Sequence, residues 1–353
     1  MSDLTTRLKQ LIAARGPLPV SDYMTECLFH PEHGYYVTRD PFGTTGDFIT
    51  APEISQMFGE LIGLSLAQCW LDQGAPNRFA LAELGPGRGT LMADVLRATR
   101  GVPGFLDAAE IWMIEASPTL SDIQRITLKP HDANWTGTLS DLPQLPLFLI
   151  ANEFFDALPI RQYQRAGETW RERVIGLENE ALAFGLTPPV APPSLAHRLE
   201  DTKDADVVEL CAQATAITNE IGTRINAHGG AALILDYGDW RSLGDTFQAL
   251  RNHAPVDPLE APGACDLTAH VDFEAMANAA PCAHSRLTPQ GVFLERLGIT
   301  VRAQTLAKQL TGEALDAHIA AHRRLTHPTE MGTLFKVLGL FPHHAAPPPG
   351  LET

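Results

Sequence analysis

Positions 81–90 read LAELGPGRGT, and this stretch constrains the fold more than any other in the chain. An apolar run beginning at Phe79, FALAELG, passes directly into Gly85, Gly87 and Gly89, and a helical pattern, TLMADVLRATR, follows without a gap. Glycine tolerates positive φ and lets a ligand approach the main chain with no Cβ in the way. A buried strand, a tight glycine turn and a helix open a βαβ unit, so a parallel sheet is predicted. IWMIEAS supplies a second strand, PTLSDIQRITL a helix opened by Pro118, and LFLIANE a third strand. A smaller strand is expected around Trp135–Leu139. Two phosphate-binding patterns fail here. A dinucleotide fingerprint needs glycine at 90, where the chain has Thr90, and a Walker loop needs a GK[ST] ending that is absent.

GxGxG with an acid two places before the first glycine is the pattern of class I S-adenosylmethionine-dependent methyltransferases. The cofactor carries a sulfonium and an ammonium and no phosphate, which explains the acid. Glu83 sits where a carboxylate receives the methionine ammonium, directly or through water. Glu115, ending the second strand, sits where an acid accepts hydrogen bonds from ribose hydroxyls. NAD-binding folds use the same ribose device, so Glu115 alone does not separate the two. The cofactor set also takes in Gly85, Pro86, Gly87 and Gly89. The alternative is a plain tight turn with solvated acids. A second constellation stands at the end of the third strand, in LFLIANEFFDALP. Asn152, Glu153 and Asp156 lie at the carboxyl edge, where open α/β sheets bind ligands, with Phe154 and Phe155 beside them. They look like a substrate floor facing the transferred methyl. Asn152 could instead cap the following turn, and Asp156 could be a solvated turn residue.

Around this core, residues 1–16 read as an amphipathic helix ended by Gly16-Pro17, and Ser21 as the cap of a helix to about Phe29. Pro52 and Glu53 open a long helix through about Gln73. After Asp156, IRQYQR, TWRERVIGL and ALAFGL suggest a β-meander, and 203–227 a helix. AALILDYG resumes the parallel sheet, 301–340 look helical, and the proline-rich tail after Pro342 is expected to fray. The segments are a helical cover and lid loop (1–75), a cofactor-binding core (76–160), an inserted lobe (161–228), the rest of the sheet with C-terminal helices (229–342) and a tail (343–353). With 353 residues, 44% of them hydrophobic, a full core can be buried. The formal charge, 26 − 42 = −16, opposes nucleic acid and favours a basic protein segment. Five cysteines with no CxxC spacing, no apolar signal core, and no apolar run of ~18 residues point to a cytoplasmic chain without a membrane span. His30 with His33, and His343 with His344, lack a complete ligand set, so no metal is expected.

SDYMTECLFHPEHGYYVTRDPFGTTGDFITAPEISQMFGELIG, LAELGPGRGTLMADVLR, NEFFDALPIRQYQ, ALILDYG and CDLTAHVDF occur in this order. The chain thereby resembles the MidA-like methyltransferases of bacteria and mitochondria, from about Leu18 to Leu340. The resemblance implies an α/β fold: a seven-stranded, mostly parallel class I (Rossmann-like) sheet ending in an antiparallel hairpin, with a helical N-terminal cover and an inserted substrate lobe. It implies S-adenosylmethionine as cofactor and S-adenosylhomocysteine as product. It makes Gly46 to Glu53 a loop closing over the cofactor, drawing Asp47, Thr50, Pro52 and Glu53 into the site. Asp47 could equally belong to an ordinary structured loop, with Thr50 or Glu53 capping the helix. Tyr23, Tyr35 and Tyr36 become aromatic walls for the sulfonium, or core residues. CDLTAHVDF becomes a substrate-side wall, or simply a helix start capped by Thr268 or Asp272; His270 is given no catalytic role. The family's mitochondrial member is an arginine methyltransferase that assists assembly of respiratory complex I, which implies a protein substrate, such as a respiratory-complex subunit. Glu153 is then the first choice for orienting the guanidinium and taking its proton, followed by Asp156 or Asp47. Three alternatives stand: another methyl acceptor, a cofactor-binding assembly chaperone without turnover, and an oxidoreductase that Thr90 opposes.

Overall fold

The computed structural model describes residues 3–38, 50–251 and 253–353. Asp47, with the Gly46–Ile49 part of the expected lid loop, lies outside the described residues. The chain opens with α1 (Asp3–Arg15), β1 (Leu18–Pro19), α2 (Val20–Phe29) and the single turn α3 (Tyr35–Thr38). Ser21 is not a cap: it lies inside α2, whose capping position is Pro19. The long helix expected from Pro52 divides into α4 (Ala51–Ile54) and α5 (Gln56–Asp72). Ser55 separates them by taking an extended conformation, φ −160° and ψ 134°, and its hydroxyl caps α5 by accepting from the Met57 N–H.

The βα units follow as β2 (Phe79–Leu84), α6 (Thr90–Thr99), α7 (Phe105–Ala108), β3 (Ala109–Ile114), α8 (Pro118–Thr127), β4 (Ala133–Thr136) and β5 (Leu147–Asn152). A meander comes next: β6 (Arg161–Ala166), β7 (Thr169–Glu178) and β8 (Ala181–Leu186). Where a helix was expected from 203, the chain first makes β9 (Val207–Leu210), which pairs with β6; α9 (Ala212–His228) begins only after it. Val207 and Val208 prefer the pleated backbone, and pairing outweighs helix propensity there. Then come β10 (Gly230–Asp239), β11 (Gln248–Arg251), β12 (Ala254–Val256), β13 (Asp266–Thr268), β14 (Val271–Asp272) and α10 (Phe273–Ala279). The last stretch holds β15 (Ala283–His284), β16 (Thr288–Pro289), α11 (Gln290–Arg296), α12 (Ile299–Ala307), α13 (Glu313–Thr326), α14 (Met331–Leu334) and β17 (Phe335–Phe341). The helix expected to 340 thus ends in a strand, because FKVLGLF is the near-continuous apolar run of a strand buried on both faces.

The central sheet runs β15-β17-β10-β5-β2-β3-β4. From β10 to β4 all pairs are parallel, and β17 lies antiparallel between β10 and β15. Alternate residues face opposite layers. Phe79, Leu81, Phe148, Ile150, Leu233 and Leu235 pack with α5 and α6 residues such as Phe58, Ile62, Val95 and Leu96. Ala80, Ala82, Leu147, Leu149, Ala232 and Ile234 pack with Ile221 and Ile225 of α9 and Phe273 and Met276 of α10. A third cluster joins α1 and α2 to the meander and β13, through Leu4, Leu8, Tyr23, Met24, Ile175 and Leu267. The tail does not fray. Leu351 is buried, the Pro349 carbonyl accepts from Ser65 Oγ at 3.0 Å, and the Glu352 carbonyl accepts from the Arg286 N–H at 2.7 Å.

Candidate active site

The carboxyl edge of the sheet carries the turn after β2. Gly85, Gly87 and Gly89 have φ of +58°, +54° and +80°, the left-handed region that side chains resist. A Cβ on Gly85 would stand 2.6 Å from Phe154 Cδ2, so the turn needs glycine for space as well as conformation. Thr90, the residue that breaks the dinucleotide fingerprint, donates its hydroxyl to Glu53 Oε1 at 2.5 Å and so ties α4 to the turn. Glu83 is buried, and its Oε2 has no hydrogen-bond partner. Burial holds its carboxyl well above the usual range, against a lowering contact with the Met92 N–H, and Glu115 adds repulsion. Thr50, Pro52, Glu53, Glu83, Gly85, Pro86, Gly87 and Asn152 surround one recess of about 30 Å³.

Glu115 lies across the turn. Its Oε1 accepts from the Ser117 N–H at 2.8 Å and its Oε2 from Gln124 Nε2 at 3.0 Å, while burial raises its carboxyl. Beside it opens a cavity of about 430 Å³, within the range of ~300–1,000 Å³ common for small-molecule sites. Gly85, Gly87 and Glu115 line one part; Glu153, Asp156, Asp266, Tyr36, Tyr237 and His270 line the rest. The turn and the strand-end acids therefore share one space. Of the three tyrosines considered, only Tyr36 lines it, donating to Asp266 Oδ1 at 2.7 Å. Tyr23 and Tyr35 are fully buried in the core.

Glu153 has a positive φ of +51°, a conformation that costs energy for any residue but glycine. Its Oε1 accepts from the Ala51 N–H at 2.9 Å and from Asn152 Nδ2 at 3.0 Å. Burial pushes this carboxyl up to about 7, with Asp156 adding to the shift. Burial likewise pushes Asp156 up to about 6, and Asp156 Oδ1 has no hydrogen-bond partner. The bend Glu153–Asp156 is organised by Asp236 of β10, which the sequence reading passed over. Asp236 Oδ2 accepts from the N–H groups of Phe154, Phe155 and Asp156 at 3.2, 2.9 and 3.2 Å. Its position at the carboxyl end of a parallel strand, in ALILDYG, was the available signal. Gln124 and Tyr237 were also not anticipated as site residues, whereas Asp266, Thr268 and His270 of the expected substrate-side wall line the cavity. Asp272 does cap α10, its Oδ1 accepting from the Ala275 N–H at 2.9 Å. Among the described residues no group of three or more His, Cys, Asp or Glu could hold a metal ion.

The residues fit S-adenosylmethionine on the structure's own terms. Glycines leave the backbone bare, and Glu83 Oε2 and Asn152 Oδ1 are buried acceptors without donors beside the recess, placed to receive a ligand's ammonium. A mostly parallel sheet with an antiparallel strand near one edge, a glycine turn after its central strand and an acid closing the next define a class I S-adenosylmethionine-dependent methyltransferase. The chain belongs to the family described as "putative S-adenosyl-L-methionine-dependent methyltransferase", whose model matches residues 61–292. It is 38% identical to the Xenopus laevis "protein arginine methyltransferase NDUFAF7, mitochondrial", covering 94% of this chain and 83% of that protein. Its identity to the Homo sapiens protein of the same name is 36%, over 97% and 84% of the two chains. Among solved structures it is similar to a Burkholderia thailandensis COG1565 superfamily protein bound to S-adenosyl-homocysteine. There the TM-score is 0.83 at 28% identity, over 98% of this chain and 94% of that one. The relatives are mitochondrial by name, which overturns the cytoplasmic location expected from composition and cysteine usage. Those features report a reducing environment and do not distinguish compartments that share it. Among the described residues no helix is long and apolar enough to cross a membrane.

Proposed function

We propose that this enzyme methylates arginine side chains of a protein substrate. The observation that carries the reading is the set of carboxyl groups, Glu153, Asp156 and Asp266, lining the same cavity as the glycine turn. A guanidinium needs carboxylates to fix its plane, and it must lose a proton as its nitrogen attacks. The arginine methyltransferases named among the relatives support this acceptor, and the family resemblance supports a respiratory-complex subunit as partner. The net charge of −16 favours a basic segment over nucleic acid.

When bound, the cofactor supplies its methyl as an electrophilic carbon on sulfonium. In this reading Glu83, Thr50, Pro52, Glu53 and Asn152 receive its methionine end, Gly85, Pro86, Gly87 and Gly89 its middle, and Glu115 its ribose. Glu153 orients the guanidinium and takes its proton, which a carboxyl raised to about 7 does near neutrality. Asp156 is the second carboxylate at the acceptor; Asp47 has its place by the family resemblance alone.

Transfer of labelled methyl into proteins of a matching mitochondrial or bacterial lysate, followed by mass spectrometry, tests the reading. Methylarginine is the expected product. Label on lysine, on a small molecule or on RNA would refute the arginine acceptor, and cofactor binding without any label would point to a chaperone without turnover. Gly87→Val should abolish S-adenosylhomocysteine binding in calorimetry while the far-ultraviolet spectrum is unchanged, because a branched side chain cannot take φ +54° beside the ligand.

A further inference from the structure

Gln124 sits in α8 with no exposed surface, although its carboxamide needs partners wherever it is buried. Its Nε2 donates to the Gly87 carbonyl at 2.8 Å and to Glu115 Oε2 at 3.0 Å, and its Oε1 accepts from Trp135 Nε1 at 3.0 Å. Indole N–H can only donate, and a carbonyl or carboxylate oxygen can only accept. The three partners therefore permit one orientation of the amide: oxygen toward Trp135, nitrogen toward the turn. Trp135 is itself covered by the Arg125 guanidinium, 4.1 Å from the ring centroid. On the other side, the Ser117 N–H holds Glu115 Oε1 at 2.8 Å. Held from both sides in this way, the Glu115 carboxylate is fixed in orientation, with its lone pairs not used by these donors open to the cavity that it lines.

We propose that Gln124 is a positioning residue for the cofactor: it aims the Glu115 carboxylate at the ribose hydroxyls while anchoring that carboxylate to the glycine turn. This rests on the reading that the cofactor occupies this turn. Gln124 touches no ligand atom in the proposal; it acts through Glu115, so its effect on binding depends on the hydroxyls that Glu115 receives.

The experiment is calorimetric binding of S-adenosylhomocysteine and of its 2′,3′-dideoxy analogue to the wild-type chain and to Gln124→Met. For the natural ligand the variant should bind about tenfold more weakly, the size expected for losing a hydrogen bond to a charged group. For the dideoxy analogue the loss should shrink to twofold or less. Equal losses for both ligands would overturn the proposal, since a packing defect does not distinguish the hydroxyls. Gln124→Glu provides a second measurement that holds even if the methionine variant fails to fold. Its carboxylate cannot donate at pH 8, but the protonated acid can donate again at lower pH. Affinity for S-adenosylhomocysteine should therefore recover from pH 8 to pH 5.5 relative to wild type, and a constant ratio across that range would overturn the proposal. Failure of the wild-type chain to bind S-adenosylhomocysteine would instead refute the placement of the cofactor itself.

Discussion

Glu153 combines a strained backbone, a raised carboxyl and contact with both the cofactor recess and the larger cavity. The proton-acceptor role proposed for it requires the ionised form, so kcat/KM should rise with pH and reach half its plateau near pH 7. Glu153→Gln should lower kcat by about 100-fold or more, leave S-adenosylhomocysteine affinity nearly intact and remove that limb of the pH profile. Full turnover in the variant would eliminate Glu153 as the base. Asp156 makes a separate prediction about stability. Its carboxyl is raised in the fold, so between the ordinary aspartate value and about 6 the folded state keeps a proton that the unfolded chain releases. Asp156 therefore makes a contribution that falls as pH rises through that window. The change in urea midpoint between pH 4 and pH 7 should differ between wild type and Asp156→Asn, with the wild type losing more on the way up. An identical change would mean that Asp156 is not raised in the folded chain.

At the scale of elements, the packing of α5 on α6 turns on two glycines spaced by four. A Cβ at Gly59 would meet Asp94 Cβ at 2.6 Å, and one at Gly63 would meet the Val95 backbone at 2.9 Å. Gly63→Ala should cost about 1–3 kcal/mol by chemical denaturation, despite the better helix propensity of alanine, because the neighbouring backbone must give way. A stabilised variant would show that the helices can separate freely. Here too lies the boundary of what the sequence made legible. β2, β3, β5 and β10 were readable because strands buried on both faces are apolar runs bounded by turn residues. The turn at Gly85–Gly89 and the edge positions of Glu83, Glu115 and Glu153 followed from those strands. β9 and β17 were read as helix because each adjoins a stretch of helical pattern, and a short apolar run suits either state until β6 and β10 are brought beside it. Gln124 was invisible for a similar reason. Nothing in PTLSDIQRITL separates a buried glutamine from a solvated one until Trp135 and Gly87 are brought against it.

For the molecule as a whole, the C-terminal segment contributes to the fold and is not an appendage. Leu351 is buried with α5, α11 and β17, and its Cδ1 lies where a side chain on Gly339 would have to go. Leu351→Ala should destabilise by about 2–5 kcal/mol, seen as a lower urea midpoint with an unchanged slope. A loss below ~0.5 kcal/mol would assign the tail to the surface.

The antiparallel strand β17 also fixes an order of events in time. β10 meets β5 on one side, yet its other side waits for residues 335–341, which are separated from it by nearly all of the C-terminal helices. On the ribosome the chain emerges N-terminus first, so β10 stands as an open edge, with unpaired main-chain groups, while about a hundred further residues are made. Tyr237, which lines the larger cavity, and Asp236, which holds the Glu153–Asp156 bend, lie on that edge strand. Until residues 335–341 are made, the nascent chain therefore carries beside its main cavity a strand margin open to adhesion.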